Sequence, residues 1–259
     1  MAPYNAALIT GASSGIGRAL ALQLAGPGVT LHLAGRDAAR LEAAAEHCRA
    51  RGAVVHTNVL DVTDAAEMEA WIAAAGPLDL VVANAGLSAG TGRGRAETAA
   101  QARRIFAVNL DGALNTVLPA LDIMRAQKRA ANGRRGTIAV VASIAAFTPA
   151  PGAPAYCAGK SAVDAWTVAT AHLAAQDGIA MTSVCPGYIR TAMTAKNRFP
   201  MPGLMDADRA ARIILAGLAK GRRRLVFPWW MGLAARLIGL LPVTLSGRLL
   251  SIPPAKDAL

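Results

Sequence analysis

Thr10-Gly11-Ala12-Ser13-Ser14-Gly15-Ile16-Gly17 separates a short apolar run, Ala6 to Thr10, from a helical pattern that extends from Arg18 to Ala25. Glycines at such a junction let the backbone turn tightly and approach an anion closely. The helix that follows offers unpaired N–H groups and the positive end of its dipole. The glycine spacing is GxxxGxG rather than GxGxxG, and alone it equally fits an ordinary strand-to-helix connection. Motifs further along the chain decide between the two readings.

Outward from this turn, short apolar runs alternate with longer amphipathic stretches. The runs are Ala6 to Thr10, Thr30 to Ala34, Ala53 to Asn58, Leu78 to Ala83, Thr137 to Ala142, Ile179 to Val184 and Leu225 to Phe227. Apolar runs of this length, bounded by Gly, Pro or Asn, predict strands buried on both faces. Helical patterns lie between them at Leu41 to Arg51, Ala65 to Ala75, Ile105 to Arg129 and Ser161 to Asp177. Strand-helix alternation implies right-handed crossovers. The expected fold is therefore α/β: a Rossmann-like, doubly wound three-layer sandwich with a seven-stranded parallel sheet. Its ligand crevice should lie at the carboxyl ends of the strands.

The chain has 259 residues, 54% of them hydrophobic and 17% charged, which excludes a disordered chain and suits one large domain over residues 1–259. Basic stretches at Gly90 to Arg95 and Arg125 to Gly136 read as exposed loops. Pro200, Pro202 and Gly203 break the segment 190–206, which reads as an irregular substrate-covering stretch. The C-terminal extension, 225–259, is strongly apolar, but Pro228, Arg236, Pro242 and Arg248 interrupt it well short of the roughly 20 apolar residues that span a bilayer. It is expected to pack within the protein, where it could wall a substrate pocket, or on a subunit, or to touch a membrane peripherally.

The net charge is +11, which either favours anionic partners or reflects arginines that keep an apolar protein soluble. Basic residues are scattered without a recognition motif, so no nucleic acid partner is expected. Cys48, Cys157 and Cys185 are too few and too far apart for a disulfide framework, and four histidines show no metal-ligand spacing. No metal is expected. The first ten residues lack a secretory pattern, so the expected location is the cytoplasm, with peripheral membrane contact as the alternative.

The downstream motifs are Asn84-Ala85-Gly86 after the fourth strand, Asn109 in a helical pattern, Ser143 after the fifth strand, and Tyr156-Cys157-Ala158-Gly159-Lys160 thirteen residues later. Pro186-Gly187, Ile189 and Thr191 follow the sixth strand. In this order they resemble the short-chain dehydrogenase/reductase family along essentially the whole chain. One departure is Ala83, where the family often has a second asparagine.

On a helix, Tyr156 and Lys160 share a face with Cβ atoms about 5 to 6 Å apart. A neighbouring ammonium and an oxidised nicotinamide both favour the phenolate, moving a group of pKa ~10 toward use as an acid or base. Ser143 can hydrogen-bond a substrate oxygen where negative charge develops. The resemblance implies that Lys160 also binds the nicotinamide ribose and that Asn109 supports a water linking Lys160 to solvent. Taken singly, Ser143 could instead be a helix cap, Asn109 a buried hydrogen-bonding residue, and Tyr156 with Lys160 a surface pair. Cys157 points about 100° away from Tyr156 around the helix and reads as core.

The resemblance assigns cofactor binding to Gly11, Ser13, Ser14, Gly15, Ile16 and Gly17, to Asn84, Ala85 and Gly86, and to Tyr156, Lys160, Pro186, Gly187, Ile189 and Thr191. Asp61 and Val62 would meet the adenine, although Asp61 could simply cap the next helix. At the end of the second strand, Gly35 occupies the position where an acid would accept ribose hydroxyls, and Arg36 can pair with a 2′-phosphate. Asp37 caps the helix beginning at Ala38 in this reading, although it keeps NAD open. NADP(H) is therefore preferred, with NAD(H) as the alternative. The expected reaction is reversible hydride transfer between the nicotinamide and the carbonyl or secondary alcohol carbon of a mostly apolar substrate, free or carrier-bound: a ketone, 3-oxoacyl or steroid-like compound. A membrane-associated or cofactor-binding scaffold is the alternative function. The resemblance implies a homodimer or homotetramer.

Overall fold

The structure is a computed structural model that describes residues 4–92, 96–130, 133–195, 197 and 199–250. Parts of both expected basic loops, at 93–95 and 131–132, and the end of the apolar extension, 251–259, lie outside the described residues.

The first half of the chain forms β1 (Ala6–Thr10), α1 (Gly15–Leu24), β2 (Thr30–Gly35), α2 (Ala38–Arg49), β3 (Val54–Val59), α3 (Ala65–Ala74) and β4 (Leu80–Ala83). The second half begins with α4 (Ala99–Phe106), α5 (Gly112–Ala126), β5 (Gly136–Val141), α6 (Pro154–Gln176) and β6 (Ile179–Pro186). After these come β7 (Ile189–Arg190), β8 (Met205–Asp206), α7 (Ala207–Ala219), β9 (Arg224–Phe227), α8 (Trp229–Gly239) and α9 (Val243–Leu250). Seven strands form one parallel sheet in the order β3-β2-β1-β4-β5-β6-β9. The order reverses between β1 and β4, which creates the crevice of a doubly wound sheet at their carboxyl ends.

The alternation of runs and helices fixes this architecture because a strand buried on both faces has no polar side to spare. Every residue of β4 and β5 is buried. Two hydrophobic clusters fill the spaces on either side of the sheet, one built on Ile9, Leu31 and Val82 and the other on Leu8, Val81 and Ile138. Neighbouring residues of one strand thus point into opposite layers.

The structure corrects three expectations. β3 is not buried on both faces: Val54 and Val59 are 57% and 55% exposed, because β3 is the edge of the sheet, with no strand beyond it among the described residues. The helical pattern from Ile105 to Arg129 stays helical only as far as Ala126 and is not regular α-helix throughout. α4 ends at Phe106, a π-helical turn spans Ala107–Asp111, and α5 ends at Ala126. The segment 190–206 is not wholly irregular either. β7 and β8 pair in parallel at its two ends, Ile189 with Met205 and Arg190 with Asp206.

Candidate active site

A cavity of about 1040 Å³ opens at the carboxyl ends of the strands. At its first wall, the chain leaves β1 through Gly11 and Gly15, whose φ angles of 65° and 55° suit glycine. Ser14 precedes α1 without a side-chain cap, and the first turn holds no acid, so the helix's leading N–H groups face the cavity unblocked. Gly17 stands behind this wall. A Cβ there would lie 2.4 Å from the Gly11 carbonyl oxygen, so only glycine lets the helix sit against the turn. Asn84 locks the arrangement by donating to the carbonyls of Thr10 (3.0 Å) and Gly11 (3.2 Å). Thr10 returns the favour with its hydroxyl, which accepts the N–H groups of Asn84 and Ala85. These residues fit a diphosphate: backbone donors, room for close approach, and a rigid floor.

At the end of β2, Arg36 and Asp37 behave differently. Asp37 accepts the Arg40 N–H at 3.0 Å and the Arg40 Nε at 2.7 Å, so it caps α2 and is an ion-pair partner at once. Those hydrogen bonds hold its carboxyl below the usual range. Arg36 is exposed, lines the cavity, and has no ion-pair partner among the described residues. Arg40 lines the cavity too, a second arginine that the sequence reading did not single out. Asp61 does not cap α3; Asp64 does, accepting from Glu67 N. Asp61 instead accepts from Thr63 and pairs with Arg104 at 2.7 Å. Burial pushes its carboxyl up, but the hydrogen bonds from Thr63 and Arg104 outweigh this and lower it.

At the deeper end, Ser143 leaves β5 and caps a 3₁₀ turn, Ile144–Phe147, by accepting the Ala145 N–H at 3.1 Å. The same side chain is hydrogen-bonded to Tyr156 in the first turn of α6. Burial pushes the Tyr156 phenol above its ordinary value, and the Ser143 bond only partly offsets it. The expected drop toward neutral pH is therefore not present in the protein alone. Lys160 is buried, and its Nζ donates to the Val141 carbonyl at 2.7 Å. Burial lowers its ammonium to about 8.

Asn109 lies in the π-helical turn, behind the wall. Its amide closes a pair of hydrogen bonds with the Leu87 backbone, 2.9 Å from Leu87 N and 2.8 Å to Leu87 O. Gly86 sits between the two groups: a Cβ there would lie 3.2 Å from Asn109 Oδ1 and 3.5 Å from Lys160 Nζ.

One feature escaped the sequence reading. Glu97 Oε2 accepts the Ala155 N–H at 3.0 Å, placing a carboxylate at the start of the helix that carries Tyr156 and Lys160. This contact spans 58 residues, so no local pattern signals it. The apolar part of the cavity is walled by Tyr188, Met193 and Phe199 and by Trp230, Met231 and Ile238 of α8. The described residues of 88–98 do not line it; Thr91, Glu97 and Gln101 hold that loop to its own surroundings. Cys157 is buried and touches the cavity. Cys185, behind it, has its thiol pushed up to about 12 by burial and by Asp164.

A glycine-floored anion turn, a paired tyrosine and serine, and a buried lysine on one cavity of a doubly wound sheet define a dinucleotide-dependent oxidoreductase class. Comparison with known proteins agrees. Residues 5–201 match the short chain dehydrogenase family, and the chain belongs to it. It is 36% identical over 243 residues to an uncharacterized oxidoreductase of Myxococcus xanthus, covering 92% of this chain and 93% of that one. It is 35% identical over 210 residues to the granaticin polyketide synthase putative ketoacyl reductase 1 of Streptomyces violaceoruber, covering 78% and 74%. Among solved structures, it resembles a short chain dehydrogenase/reductase from Burkholderia phymatum in complex with NAD, with TM-score 0.80, 26% identity, and coverage of 90% and 92%. The protein is thus a dehydrogenase/reductase acting on CH–OH and C=O groups through a nicotinamide cofactor.

Proposed function

We propose that the protein is an NADP(H)-dependent oxidoreductase for a mostly apolar ketone or secondary alcohol, with Tyr156 as its proton donor and acceptor. The observation that carries the reading is the convergence of Ser143, Tyr156 and Lys160 on the cavity that the glycine turn opens into.

When bound, the nicotinamide cofactor supplies hydride in reduction and takes it in oxidation. Tyr156 gives its phenolic proton to the substrate oxygen as the C–H bond forms, and recovers it from the alcohol in the reverse direction. Ser143 hydrogen-bonds the same oxygen, stabilising charge that is larger in the transition state than in the ketone. Lys160 uses one of its three donors on Val141, which leaves two for a ribose hydroxyl and the relay beyond Tyr156. Its positive charge, together with that of an oxidised nicotinamide, opposes the burial that raises the phenol. Asn109 holds Leu87 and so positions the cavity wall beside Lys160.

NADP(H) is favoured because Asp37 has both oxygens engaged while Arg36 remains available for a 2′-phosphate. The apolar wall supports a fatty-acyl, 3-oxoacyl or steroid-like substrate, with residues 190–206 as its cover. The Streptomyces relative's name and the basic surface suit a carrier-bound 3-oxoacyl group. Exposed Phe106, Leu118 and Leu173 on α4, α5 and α6 support a homodimer or homotetramer through those helices. The test is Tyr156→Phe. It should abolish turnover of an accepted ketone by at least about 100-fold with little change in cofactor affinity. Near-normal turnover would overturn the assignment.

A further inference from the structure

We propose that the outer face of α8 and α9 docks on an anionic lipid surface. On α8, Trp229, Leu233 and Leu237 recur at i, i+4 and i+8, and Leu240 and Val243 continue the stripe into α9. All are exposed; Trp229 stands at 73%, Leu240 at 82% and Val243 at 83%. Large side chains exposed together in this way mark an interaction surface rather than the scatter normal for a soluble protein.

The opposite face of the same helix is occupied. Gly232 rests on Val226, where a Cβ would come within 2.2 Å, and Gly239 rests on the Phe147 carbonyl, where it would come within 2.5 Å. Met231, Ala235 and Ile238 line the cavity. α8 is therefore a wall one helix thick, with the cavity on one side and exposed apolar surface on the other. No helix among the described residues is long and apolar enough to cross a membrane, so the arrangement suits a helix lying in the plane of an interface.

Charge selects the occupant. From Arg209 to Leu250 the chain has eight lysines and arginines and no aspartate or glutamate. Two of them, Arg236 and Arg248, lie on α8 and α9; both are exposed, Arg236 over the Phe147 ring, and neither helix carries an acid. A second copy would bring Arg236 and Arg248 against the same two arginines with no acid on either helix to pair them, which opposes face-to-face pairing. An anionic headgroup layer attracts them. Tryptophan is also the side chain that favours the boundary between headgroups and acyl chains. If the substrate is as apolar as proposed above, docking here sets the cavity wall against the phase in which such a substrate dissolves; the docking itself does not depend on that reading.

The test is co-sedimentation of the full chain with phosphatidylcholine vesicles with and without phosphatidylglycerol. The protein should bind the anionic vesicles. Binding should weaken by about tenfold or more in high salt, where screening shortens to a few ångströms, and in the variant Trp229→Ser/Leu240→Ser/Val243→Ser. All three residues lie off the cavity, and circular dichroism checks that the variant is folded. Tyr156→Phe should bind vesicles like the parent, so loss of the catalytic reading would leave this result untouched. Absence of binding, or equal binding by the folded triple variant, would overturn the proposal. So would sedimentation showing that the triple substitution converts a dimer to a monomer, since a second copy would then cover the face.

Discussion

Lys160 Nζ donates to the Val141 carbonyl at 2.7 Å, so a buried cation on α6 is held by the last residue of β5. Burial lowers this ammonium from 10.5 to about 8. The folded value lies below the unfolded one. Below pH 8 the group is charged in both states and its burial costs on the order of 3 kcal/mol; between about 8 and 10.5 the folded state sheds its proton first and the cost is relieved. Stability attributable to this residue therefore rises with pH across that window. Denaturant unfolding of the parent and Lys160→Met at pH 7.5 and 10 should show the parent gaining on the variant as pH rises. A pH-independent gap would contradict the burial argument.

Gly17 touches the Gly11 carbonyl so closely that a methyl group would lie 2.4 Å from its oxygen and 2.6 Å from Asn84 Nδ2. Gly17→Ala must push α1 away from the turn. The expected cost is roughly 1–3 kcal/mol, or about 2–4 °C in Tm for each kcal/mol, with nicotinamide cofactor affinity falling about tenfold or more. Calorimetry and a cofactor titration check both effects. A variant that binds as the parent does would separate this turn from the cofactor.

Asp164 accepts two hydrogen bonds from Arg224, at 3.0 and 2.9 Å, and one from Ser183 at 2.6 Å, joining α6 to β9 and β6. Asp164→Asn would leave Arg224 without its counter-charge in a partly buried site. Unfolding should become easier by about 2–4 kcal/mol. Asp164→Asn/Arg224→Met, which removes both charges, should recover part of the loss. If the single variant is as stable as the parent, the network contributes little.

Glu97 caps the helix that carries Tyr156 and Lys160 from 58 residues away. Glu97→Ala should cost about 1 kcal/mol, as loss of a helix cap does. It should also lower kcat more than it raises KM, because the cap orients Tyr156 without touching substrate. Steady-state kinetics on an accepted ketone separates the two. An unchanged kcat would confine Glu97 to stability.

Much of this architecture was legible because its signals are local. The glycine turn, the Tyr156–Lys160 spacing, and the i, i+3 cap of Asp37 on Arg40 each lie within a few residues and carry their own geometry. What could not be read depends on neighbours distant in sequence. A valine-rich run does not say whether its strand will be central or at an edge, so β3 with exposed Val54 and Val59 looked like any other buried strand. The apolar period runs on through Ala107–Asp111, so the π-helical turn around Asn109 left no mark. The contact of Glu97 likewise depends on where chain segments meet.

The central claim is most directly tested by titrating the purified protein with NADPH and NADH while following nicotinamide fluorescence, and repeating both titrations with Arg36→Ala. NADPH should bind more tightly than NADH, and Arg36→Ala should cost NADPH about tenfold or more while leaving NADH nearly unchanged, as removal of one charge-assisted phosphate contact predicts. Failure of the folded protein to bind either nucleotide, or a preference for NADH that Arg36→Ala does not alter, would contradict it.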